Sequence, residues 1–181
     1  MSKNTAQLMA AIVVVAMAGG CDRLGRRDGR DPKTPSGFAV PRWVVLKFDS
    51  VNAHSGPSED NRTLFTYKTK GLPVQVVAET KEWRRICDSD GQMSWVLSRM
   101  VDGRRNVLRA ADSPLTLRHS PKAEAGVAAY LRPRALADYD RCDKGWCKVK
   151  AGDVAGWAPQ TELWGVAEAA QCRAPVAAAA R

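Results

Sequence analysis

Apolar and polar positions alternate in short runs along this chain, and the runs come back in the same order further on. Leu72, Val74 and Val76 alternate with Pro73, Gln75 and Val77, the period of two that a strand requires. Pro73 marks either the start of that strand or a sheet edge. Trp43-Val44-Val45-Leu46 is a short apolar run, and Val51-Asn52-Ala53 leads into a turn at Ser55-Gly56-Pro57-Ser58. Asp88-Ser89-Asp90-Gly91 is a second turn, placed before Trp95-Val96-Leu97. A long 3.6-residue stripe is missing outside the leader and the Ala-rich segment after Val166. Short strands punctuated by turns predict an all-β protein rather than a helical or α/β one.

The pattern is carried twice. Trp83-Arg84-Arg85-Ile86 falls on Trp146-Cys147-Lys148-Val149, and Val51 to Pro57 falls on Leu115 to Pro121. Tyr67 matches Tyr130, Val74 matches Ala137, and Trp95-Val96-Leu97 meets Trp157-Ala158-Pro159. The offset drifts by single residues, as it does when insertions fall in loops. One structural unit is therefore present in two copies. Each copy is about 60 residues, a size that buries little surface and gains from a covalent staple or from packing on its neighbour.

Three elements, Val51-Asn52-Ala53-His54-Ser55-Gly56-Pro57, Trp83-Arg84-Arg85-Ile86 and Trp95-Val96, resemble the motif set of the bacterial SH3 (SH3b) domain family. The tandem arrangement is similar to that of exported two-repeat proteins of the family. The first repeat departs at His54, where the family usually has Arg; the second keeps Arg118 but has Ser120 in place of Gly56. The resemblance implies two tandem SH3-like small β-barrels, residues 42–103 and 104–166. It also implies binding of cell-wall peptides or protein partners, often beside hydrolases. Ala135-Leu136-Ala137-Asp138-Tyr139-Asp140 superficially matches an acidic-aromatic opening of eukaryotic SH3 domains, but the alternation there demands a mid-repeat strand.

Ahead of the repeats lies a different kind of sequence. A charged start at Lys3, an apolar run from Leu8 to Ala18 and the small residues Gly19-Gly20 describe an export signal over residues 1–20. Ala16-Met17-Ala18 suits an ordinary signal peptidase, whereas Ala18-Gly19-Gly20-Cys21 resembles a lipoprotein lipobox with Ala where Leu is usual. Five cysteines leave one odd, and lipidation of Cys21 leaves four, which favours the lipobox. Residues 21–41 read as a flexible tether. Its Arg and Lys residues either lie against anionic headgroups or only keep it soluble. Residues 167–181 form an Ala-rich tail.

Export places the remaining cysteines where disulfides persist. With Lys144-Gly145 as a two-residue turn, Cys142 lies directly opposite Cys147, and a disulfide is expected there rather than a zinc half-site. Cys87 and Cys172 either pair, tying the tail to the first repeat, or stay free.

Strand alternation puts Ile86 and Val149 in the core and Trp83, Arg85, Trp146 and Lys148 on the other face. An indole beside a cation there is a docking platform of large, rigid contact area. The resemblance adds Pro159, which with Trp146 matches the pair that forms the peptide groove of eukaryotic SH3 domains; Leu97 replaces it in the first repeat. The competing reading is that these tryptophans cap their own barrels or pack between repeats. Trp95 and Trp157 are expected to lean toward the core, and His54 and His119 to be exposed.

A net charge of +9 raises nucleic acid as a partner, but export and the dispersed cations argue against it and for an anionic envelope partner. Cys87 with His54 or His119 is the one candidate catalytic pair; with no separate domain to support it, no catalysis, cofactor or metal is expected. The expected function is a non-catalytic module on the periplasmic side of the cell envelope, held to the membrane by a lipid anchor. Its ligand is peptidoglycan or its peptides, or alternatively it docks as an adaptor on an exported protein.

Overall fold

The computed structural model describes residues 34–172, so the expected signal segment, Cys21 and the tail beyond Cys172 lie outside the described residues. The first sheet is built from β1 (Arg42–Leu46), β2 (Val51–His54), β3 (Thr63–Tyr67), β4 (Pro73–Glu79), β5 (Trp83–Cys87), β6 (Met93–Leu97) and β7 (Val101–Asp102). The second comprises β8 (Asn106–Leu108), β9 (Leu115–Arg118), β10 (Val127–Leu131), β11 (Leu136–Asp143), β12 (Trp146–Ala151) and β13 (Val154–Pro159). Short 3₁₀ turns, Ser98–Met100 and Gln160–Glu162, follow β6 and β13, and no α-helix occurs among the described residues.

The strand orders are β3-β2-β6-β5-β4-β1-β7 and β10-β9-β13-β12-β11-β8, the same sequence of six neighbours twice, with β7 added at the edge of the first. The duplication read from the chain is thus a duplication of topology. Equivalent positions fill both cores: Val51 and Leu115, Ala53 and Leu117, Ile86 and Val149, Val96 and Ala158 are all buried. Fully burying one such aliphatic side chain stabilises by roughly 1.5–3 kcal/mol.

β4 departs from simple alternation, since Pro73 and Gln75 on its second face are as buried as Val74 and Val76. The cause is the segment after β13, which returns over the first sheet. The Trp164 indole packs edge-on against Trp43 with centroids 5.0 Å apart and donates from Nε1 to the Pro73 carbonyl at 2.9 Å. Next to it Gly165 has φ +109°, and a Cβ there would lie 2.6 Å from the Asn106 carbonyl oxygen, so only glycine passes. Trp43 Nε1 then donates to the Ala167 carbonyl at 2.6 Å. Gln75 holds the strap from both sides, donating to the Ala169 carbonyl at 2.9 Å and accepting from the Gln171 amide at 2.8 Å. Cys172 ends the strap in a disulfide with Cys87, Cα atoms 5.8 Å apart. The segment is a pinned strap, not the helix its Ala content allows.

The expected hairpin staple is present. Cys142 faces Cys147 and Asp143 faces Trp146, while Lys144 (φ 47°) and Gly145 (φ 82°) supply the left-handed pair of a two-residue turn. The bonded cysteines have Cα atoms 3.9 Å apart, closer than an ordinary facing pair. Because the bond spans a sequence separation of only 5, replacing both by Ser is expected to lower stability by less than about 2 kcal/mol in a denaturant titration.

At the end of β4, Glu79 accepts from Arg42 at 2.5 Å and from the Ser36 amide at 2.8 Å, and lies 3.2 Å from Arg84. Burial works against its charge, but the hydrogen bonds from Ser36 and Arg42 outweigh it and pull the pKa down from 4.5 to about 2. The folded protein therefore holds this proton less tightly than the unfolded chain does. The stabilisation is complete above pH 4.5 and is lost as pH falls toward 2. Allowing for solvent screening it amounts to about 1–2 kcal/mol, and Glu79→Gln is expected to flatten the acid limb of the stability curve by that amount.

Candidate functional site

In the first repeat the turn between β4 and β5 sets the position of Trp83. The Thr80 amide donates to the Trp83 carbonyl at 2.9 Å, and the Trp83 amide donates to Thr80 Oγ1 at 3.1 Å. Trp83 lies opposite Leu97 across the β5–β6 pair, and Arg85 opposite Trp95, as the expected strand parity requires. Trp83 is nevertheless only 4% exposed, which corrects the expectation of a solvated indole. The His54 ring packs edge-on against it at 5.1 Å, and Pro57, Ser58 and Glu59 line the groove beside it. Parity placed this side chain on the outer face without revealing that the face is roofed.

What remains open beside Trp83 is a groove of about 490 Å³ between Pro57, Glu59, Glu82, Leu97 and Arg99. A second hollow of about 310 Å³ adjoins it, sharing Glu59, Leu97 and Arg99 and adding Asn52 and His54. His54 is half-buried rather than exposed. Its Nδ1 is 3.0 Å from the Asn61 carbonyl, which accepts only, so Nδ1 is the donor of that bond. Arg99 lies 3.9 Å from Glu59 across the mouth. This groove offers the carboxylates of Glu59 and Glu82 and the guanidinium of Arg99, with the buried Trp83 at its wall.

The second repeat carries a different surface. Trp146 faces Pro159 and Lys148 faces Trp157, so Trp146, Lys148 and Pro159 are brought together as expected, all half-buried. Arg141 faces Lys148, and its guanidinium lies 5.3 Å from the Trp157 ring centroid; Arg118 faces Trp157 from the other side. Asp140 accepts from Arg141 at 2.9 Å and sits 3.6 Å from Lys148. Three cations and two indoles against one carboxylate make an anion-attracting aromatic face.

Sequence reasoning missed Trp157, Arg141, Arg118, His54, Glu59 and Arg99. Trp157 was legible: it stands between Gly156 and Ala158, both buried, so parity sends it outward. Trp95 likewise stands between buried Ser94 and Val96, and neither tryptophan enters a core. His119 is exposed, as expected. Cys87 has its sulfur in the bond to Cys172, so it offers no thiolate to either histidine.

The profile of the Bacterial SH3 domain family matches residues 47–103 and again residues 111–165. Among solved structures, the chain is similar to NlpC2 from Trichomonas vaginalis, at 10% identity and a TM-score of 0.32, covering 70% of this chain and 49% of that one. NlpC1 from the same organism gives 10% identity, a TM-score of 0.31, and coverage of 71% and 47%. The chain thus spans about half the length of these structures. Among curated proteins none matches it.

Proposed function

The chain belongs to the bacterial SH3 domain family, and from that premise we propose that it is a non-catalytic binding module of the cell envelope that recognises peptidoglycan or its peptides. The observation that carries the reading is the face of the second repeat. Trp146 and Pro159 form a facing apolar pair, flanked by Lys148 and Arg141, which suits a ligand with an apolar backbone and free carboxylates. The groove beside Trp83 in the first repeat supplies a second contact of mixed charge. In this reading each sheet closes as a small barrel, residues 42–103 and 104–166. The barrels follow a lipoprotein-type signal at 1–20 and a tether that starts at acylated Cys21, which places them on the periplasmic side of the membrane.

Co-sedimentation with purified sacculi tests it. The oxidised protein is expected to sediment with sacculi and to be released by salt, because cations carry part of the contact. Trp146→Ala is expected to weaken retention roughly 30-fold, the equivalent of about 2 kcal/mol for a truncated anchor residue. Absence of sedimentation at low salt overturns the peptidoglycan reading and leaves docking on an exported protein as the alternative.

A further inference from the structure

Gln75 in the first repeat and Asp138 in the second occupy equivalent places on β4 and β11. Gln75 faces Trp43 and Cys87; Asp138 faces Asn106 and Lys150. The strap covers the first position. The second is open and borders a hollow of about 430 Å³ at the junction of the repeats, lined by Lys70, Gly71, Arg104, Arg105, Asn106 and Asp138. Cations enter from two directions, Lys70 from the turn before β4 and Arg104 and Arg105 from the connection between the sheets. Arg105 is held in place: its guanidinium lies 4.5 Å from the Tyr139 ring centroid and donates from Nη2 to the Gly165 carbonyl at 3.0 Å. Its Nε is buried with no acceptor in the protein. A buried guanidinium nitrogen without a partner is costly, and a fixed guanidinium with unused donors is the group that grips oxyanions in two-point fashion.

We propose that this hollow binds a protonated phosphate oxyanion, inorganic phosphate being its simplest form. Lys70, Arg105 and Arg104, whose Nε lies 3.3 Å from Asp102, supply positive charge from more than one plane, which matches a tetrahedral anion better than a flat carboxylate. Asp138 decides the protonation state. Neither it nor Lys70 enters an ion pair among the described residues. Its carboxylate accepts the P–OH of hydrogen phosphate and repels an anion that has no proton to give. Sulfate and phosphodiesters, fully ionised near neutral pH, are therefore discriminated against.

The signal of the Arg105 guanidinium reports on the site. Titrating inorganic phosphate into the oxidised protein at constant ionic strength is expected to shift it saturably, with sulfate binding at least about tenfold more weakly. Lys70→Ala, at an exposed turn, is expected to weaken phosphate about tenfold while the amide spectrum stays dispersed. Asp138→Asn is expected to bring sulfate and phosphate to similar affinity, which a merely structural aspartate does not do. A resonance that does not move in phosphate overturns the proposal. So does equal binding of sulfate by the unsubstituted protein, which identifies an unspecific basic patch. Binding to phosphatidylglycerol vesicles that depends on Lys70, without a response to inorganic phosphate, assigns the hollow to a diester and also overturns it.

Discussion

Trp83→Ala is expected to destabilise the protein by roughly 3–5 kcal/mol, the cost of truncating a buried aromatic residue, whereas Trp146→Ala is expected to cost no more than about 1–2 kcal/mol. The two tryptophans are equivalent in the repeat and sit on the same face of equivalent strands, β5 and β12. Their surroundings differ. Trp83 is 4% exposed against the His54 ring, so its removal leaves a cavity and strands the histidine ring. Trp146 is half-buried beside Pro159, with solvent on one side. Thermal unfolding of both variants separates the roles: an early transition for Trp83→Ala and a near-native one for Trp146→Ala is the expected pair. The reverse order contradicts the assignment of Trp146 as a contact residue. His54→Ala, which unroofs the indole but keeps it, is expected to fall between them.

The same comparison shows how far the sequence could be read. Parity along β12 was legible because Cys147 and Val149 are the core residues of a strand with polar neighbours, so Trp146 and Lys148 had to lie opposite. The hairpin disulfide was legible for a similar reason, since two turn residues with left-handed dihedrals force Cys142 and Cys147 into one rung. Strand parity says which face a side chain takes, not what lies over that face. Trp83 was therefore misjudged, its indole being covered by His54 from β2, and the strap that covers Gln75 comes from still more distant sequence. Trp95 and Trp157 were expected to lean toward the core, but their neighbours Ser94 and Val96, Gly156 and Ala158 are the buried ones, and parity turns both indoles outward. The strap itself was invisible to periodicity. Its hold depends on single atoms, the Gln75 amide and the Trp43 Nε1, meeting carbonyls and an amide far along the chain.

Cys172→Ser is expected to have the largest effect on stability of any change in the tail. The bond to Cys87 closes a sequence separation of 85, against 5 for the hairpin pair. Constraint of the unfolded chain grows with the logarithm of that length and amounts to about 4–5 kcal/mol in the chain-entropy account, with measured values for native disulfides of about 2–5 kcal/mol. A second loss follows in the folded state. Gln75 is fully buried, and its amide is satisfied by Ala169 and Gln171. If the strap lifts, Trp43 and Gln75 meet water, and the edge-on contact between Trp43 and Trp164 loses its cover. The expected readout is a fall in the unfolding midpoint of roughly 10–20 °C, together with loss of hydrogen-exchange protection at Gln171 while β11 and β12 keep theirs. Cys142→Ser with Cys147→Ser serves as the control, since it removes a disulfide without touching the strap. Equal effects from the two disulfides would show that loop length and strap docking do not govern stability here, and that the strap rests on the first sheet without holding it.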